Sequence, residues 1–123
     1  MEDPARAGPA GPSPAAIVVT LPAEVDLENA EDVQAGLFEA VGSGAAVVIA
    51  DMTGTTFTDS MGARALVLAH KSAAEQGVEL RVAASSPSVL RVLSMLKLDT
   101  YLAVYSSVAQ AQSPDGDRAT RAR

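Results

Sequence analysis

The stretch VVIADMTGTTFTDSMG, residues 47–62, runs from an apolar segment into a turn rich in hydroxyls and ends on Asp59-Ser60, where a helix is expected to begin. A strand that passes through a loop into a helix start brings backbone N–H groups and the positive helix end together, a setting that favours an anion. Ser60 in that setting is a candidate phosphoacceptor. Its plainer reading is a helix cap.

Outward from this stretch, strands and helices alternate. Residues 45–50 are continuously apolar, as in a strand covered on both faces, and should be central. Residues 15–21, AAIVVTL, form an earlier strand that breaks at Pro22 and resumes briefly at Glu24 and Val25. Asp26 can cap a helix over 27–41, whose Ala30, Val33, Leu37 and Val41 recur at helical spacing and which Gly42 and Gly44 end. A second helix spans 60–76 and stops at Gly77, a strand follows over 78–83, and Ser86-Pro87 opens a helix over 88–95. Residues 98–105 read as a short strand or extended segment, and 107–111 as a last helical turn. This order predicts an α/β fold with a mostly parallel sheet of four to five strands and right-handed crossovers.

The ends read differently. Residues 1–14 are rich in Pro and Gly and 113–123 have almost no large apolar side chain, so both are expected to be disordered tails around one domain over 15–112. A net charge of −6 argues against nucleic acid and anionic membrane surfaces as partners. The absence of cysteine excludes disulfides and thiolate chemistry. With no apolar run long enough to span a membrane and no signal-like start, the expected compartment is the cytoplasm.

The 60–76 helix carries apolar residues on more than one side. Ala63, Leu66, Val67, His70 and Ala74 form a stripe expected to face the sheet, yet Met61, Ala65, Leu68 and Ala69 leave the opposite side apolar too. Either the C-terminal segment covers that side or it is a partner-binding face beside Ser60.

Taken with LPAEVD at 21–26, Gly77 and the segment ASSPSVLRVLSMLKLDTYLAVYSSVAQA, the stretch resembles a STAS domain of the bacterial anti-sigma-factor antagonist family. The resemblance covers 15–112. That family's middle motif is an apolar strand, Asp, a loop, Phe or Ile, then Asp-Ser-Ser/Thr-Gly; the matching places here hold Asp51, Phe57, Asp59, Ser60, Met61 and Gly62. Met61 stands where the family has a second hydroxyl, Ala23 where it often has glycine, and a family-like strand ahead of residue 15 is missing or replaced by the Pro-rich tail.

The resemblance implies a non-catalytic protein without cofactor. Its Ser60 would be phosphorylated by a serine protein kinase that is also an anti-sigma factor, with a serine phosphatase as a further partner. The unphosphorylated form would bind the kinase and free the sigma factor. Partner contacts are expected from Asp26, Asp59, Met61, Gly62, Ala65 and Leu68 around Ser60. Asp26 and Asp59 could instead serve only as helix caps, and Gly62 could admit a partner or a neighbouring strand. Phe57 reads as a core plug and the four threonines 53, 55, 56 and 58 as groups satisfying the turn.

Enzymatic readings lack parts. Ser60 has no histidine base unless His70, the single histidine, reaches across more than two helical turns. His70 alone does not make a typical metal site and is expected to be structural. Neither GxxxxGK[ST] nor GxGxxG occurs. Asp26, Asp51 and Asp59 would suit a receiver that accepts phosphate on aspartate, but an adjacent acidic pair after the first strand and a lysine near the end of the last strand are missing. The remaining alternative is a STAS interaction module of a stress-signalling scaffold or transport system.

Overall fold

The computed structural model describes residues 16–113; the two tail assignments at 1–14 and beyond 113 lie outside the described residues. Four strands, β1 (Ala16–Thr20), β3 (Val47–Met52), β5 (Glu79–Ala84) and β6 (Ala103–Tyr105), form a sheet in the order β1-β3-β5-β6, every pair parallel. The expected α/β class and central 45–50 strand are both present. Val48, Ile49 and Ala50 are fully buried because β3 has a strand on each side and cover on both faces.

A separate parallel pair, β2 (Glu24–Val25) with β4 (Phe57–Thr58), lies outside this sheet. It sets Glu24 against Phe57 and Val25 against Thr58. The pair positions the candidate site, since β4 leads straight into the next helix.

Helices α1 (Ala30–Val41), α2 (Ser60–Glu75) and α3 (Pro87–Met95) contribute with the sheet to the main core, which includes Leu37, Leu66, Leu80 and Leu93. A short α4 (Leu98–Tyr101) precedes β6. The last helix, α5 (Val108–Gln112), contributes Ala111 to a second, smaller cluster with Ile49, Ala83 and Tyr105. Arg81 Nη1 donates to the Ala111 carbonyl at 2.7 Å and pins that helix down.

Three expectations about elements change. The first helix begins at Ala30 rather than 27, because short polar side chains hold the preceding turn. Asp26 Oδ1 accepts from Glu28 N at 3.0 Å, and Asn29 Oδ1 accepts from Asp26 N at 2.9 Å. Residues 98–105 are not extended throughout: Lys97 adopts a left-handed φ of 64° between α3 and α4, so a helical turn forms before β6. The sides of α2 are covered mainly by α1 and to a smaller extent by α3, while the C-terminal segment reaches it at His70 through Tyr101. Its buried residues are Gly62, Ala63, Ala65, Leu66, Ala69 and Ala73, while Ala74 is exposed.

Candidate functional site

Asp59, not Ser60, caps α2. Its backbone is extended, with φ −107° and ψ −172°, and its Oδ1 accepts from both Met61 N and Gly62 N at 3.0 Å. The first intrahelical bond, from Ala63 N, goes to the Asp59 carbonyl at 3.1 Å. Asp59 Oδ2 accepts from Leu27 N at 3.1 Å and so ties the β2–α1 turn to the helix start. All of these bonds go to backbone, so the carboxylate does not hold the Ser60 hydroxyl. They also claim two N–H groups expected to be open to an anion.

Ser60 is therefore the first residue inside the helix. Its side chain is exposed, and among the described residues its hydroxyl has no hydrogen-bond partner. The neighbouring threonines do satisfy the turn: Thr55 Oγ1 donates to the Pro22 carbonyl at 2.8 Å and Thr53 Oγ1 to Asp51 Oδ1 at 2.7 Å. Thr55 and Thr58 are buried, leaving Ser60 the more accessible hydroxyl beside them.

The other expected site residues divide by burial. Met61 and Leu68 are half-buried, and both line a groove of about 470 Å³ between α1 and α2, with Phe38, Arg64, Glu31 and Gln34 among its walls. Asp26 is half-buried and spends a carboxylate oxygen on its own turn. Ala65 is only 1% exposed and belongs to the core cluster, so its methyl faces away from any partner.

Gly62 is buried against the chain itself. A Cβ there would come within 2.8 Å of Val25 Cγ1 and the Val25 carbonyl and would collide with Thr58 Oγ1. The close approach is thus to β2 and β4.

Sequence reasoning missed four residues here. Leu27 is 69% exposed because its turn does not become helix, and Phe57, read as a core plug, is 46% exposed on β4. Phe38 and Arg64 enter through the groove. The exposure of Phe57 could not be read from alternation in a strand of two residues. Arg64 had a usable signal: it is the first cation of the helix, one turn after Ser60. His70 packs edge-on against Tyr101 with ring centroids 4.8 Å apart, and its Nδ1 is buried without a partner.

Among the described residues no group of three His, Cys, Asp or Glu side chains could hold a metal, and no helix is long and apolar enough to cross a membrane. The helix start thus carries one uncommitted hydroxyl, next in sequence to Met61 on the wall of a groove.

The STAS domain family model matches residues 11–111, and the chain belongs to that family. No curated protein matches it. Among solved structures it is similar to an anti-sigma factor antagonist from Mycobacterium paratuberculosis, at 18% identity over 85% of this chain and 88% of that one, with a TM-score of 0.75. It is also similar to SpoIIAA in its unphosphorylated form, at 18% identity, 87% and 91% coverage and a TM-score of 0.66, and to the phosphorylated Bacillus form, at 17%, 90% and 94% and 0.58. A sulfate transporter family protein from Wolinella succinogenes shares the fold as well, at 17% identity, 80% and 83% coverage and a TM-score of 0.70. At these identities the likeness is one of fold.

Proposed function

We propose that the chain is an anti-sigma-factor antagonist switched by phosphorylation of Ser60. Its unphosphorylated form binds an anti-sigma factor that is also a serine kinase, in the cytoplasm, and the sigma factor is released. The kinase moves the γ-phosphoryl group of ATP to Ser60 Oγ; ADP leaves, and the hydroxyl proton passes to a base of the kinase. A serine phosphatase resets the switch. The domain itself supplies no catalysis.

The observation that carries this reading is the exposed, unbonded Ser60 hydroxyl beside a cap that is already complete. Leu27, Phe57 and Met61, together with the groove walls Phe38 and Leu68, supply apolar contact around it. A phosphate adds roughly −1.5 to −2 charges. Opposed by a like charge in an interface, it costs several kcal/mol, against about 0.3 to 1 kcal/mol gained from the helix end.

The test is incubation with the cognate kinase and ATP, followed by intact mass and peptide mapping, and binding calorimetry on Ser60→Asp and Ser60→Ala. One phosphate on Ser60 is expected, with Ser60→Asp bound about 150-fold more weakly, equivalent to about 3 kcal/mol. Equal binding of the two folded variants sinks the switch. The fold shared with the sulfate transporter family protein supports a second reading, an interaction module of a transport system. Equal binding to such a partner, regardless of residue 60, would favour it.

A further inference from the structure

Ser60 and Arg64 stand one turn apart on α2, both exposed. Residues four apart on a helix have Cβ atoms about 5–6 Å from each other, within easy reach of an arginine. Arg64 is the sole cation among the groove walls, where Glu31 is the sole anion. Yet among the described residues Arg64 forms no ion pair. Its guanidinium is uncommitted.

The backbone at this helix start has little left for an anion. Met61 N and Gly62 N are held by the Asp59 carboxylate, and Ala63 N by the Asp59 carbonyl. That carboxylate adds a like charge directly beside Ser60. A phosphate on Ser60 therefore finds an occupied, negatively charged cap behind it and one free guanidinium ahead.

We infer that Arg64 captures the phosphate of modified Ser60 and is thereby drawn out of the α1–α2 groove, an inference that rests on the reading of Ser60 as the phosphorylated residue. The modified form then differs from the unmodified one twice: charge appears at the rim, and the groove loses its cation. Arg64 is the residue that couples the two, and a partner presenting an acidic side chain to the groove loses its counterion when Ser60 is modified. An Arg–phosphate pair is charge-assisted and can be bidentate, which lysine cannot reproduce.

The experiment needs no kinase or partner. Phosphoserine is installed at position 60 of the full chain during translation, and its second ionisation is followed by phosphorus NMR in the wild type, Arg64→Gln, Arg64→Lys and Lys71→Gln backgrounds, each checked for native circular dichroism. A nearby guanidinium favours the dianion, so Arg64→Gln should raise the midpoint by about 0.3 pH units or more. Arg64→Lys should recover part of that shift, and Lys71→Gln, about three turns from Ser60, should leave the midpoint in place. The inference is overturned if Arg64→Gln titrates like wild type, or if Lys71→Gln moves the midpoint as far. A flat titration leaves the Ser60 switch standing on its own binding test, and a failed binding test leaves the measured phosphate–arginine pair untouched.

Discussion

Asp59 and Leu27, 32 positions apart, are joined by a 3.1 Å hydrogen bond from the Leu27 amide to a carboxylate whose other oxygen caps α2. One side chain thus fixes both the start of the helix that carries Ser60 and the turn that exposes Leu27. Asp59→Ala should cost about 1–2 kcal/mol by urea unfolding, at the upper end for a lost cap, because the Leu27 amide loses its partner too. Asp59→Asn, which can still accept from Met61 and Gly62, should cost less.

Gly62 and Gly36 make a contrasting pair. A methyl at Gly62 meets Val25 and Thr58, so Gly62→Ala should destabilise by about 1–3 kcal/mol. At Gly36, inside α1, a Cβ finds nothing within 4 Å, and Gly36→Ala should stabilise by about 0.5–1 kcal/mol. Chemical denaturation of the two variants checks both signs.

Leu68 and Ala65 separate surface from core on the same helix. Leu68→Glu should change stability by only about 0.5 kcal/mol, since the side chain opens on the groove, while weakening kinase binding. Ala65→Glu would bury an unpaired charge in the core and should cost about 3 kcal/mol or more, or prevent folding. Thermal midpoints and calorimetric titration distinguish the two.

A further position on α2 worth testing is His70. Its buried Nδ1 has no partner, whereas its ring contacts Tyr101. His70→Phe keeps an aromatic contact and removes the unsatisfied nitrogen, so the urea midpoint should hold or rise; His70→Ala should lower it.

Much of this fold was legible because its main sheet is parallel and buried. The uninterrupted apolar run ending at Ala50 has to be an interior strand, and Gly77 marks the end of a long helix for a stereochemical reason, its φ of 73°. The site was less legible. Asp59 and Ser60 are both good cap residues, and only geometry assigns the role to Asp59. Ala65 and Leu68 look equivalent as apolar helix positions, but the neighbour each meets depends on how α1 and α3 pack against α2. Leu27 and Phe57 are exposed through a turn and a two-residue strand, elements too short to carry a periodic signal.

The pairing of β2 with β4 also bears on when the corner comes into existence. Its two strands meet across 33 positions of chain and share only two residue pairs, far too few to persist alone. Closing that loop is worthwhile only once α1 and β3 between them have consolidated. The Ser60 corner should therefore assemble late, and a nascent or misfolded chain should not display it. A kinase that docks on this corner before acting on Ser60 would spare unfinished copies, so that regulation would count folded molecules rather than polypeptides made.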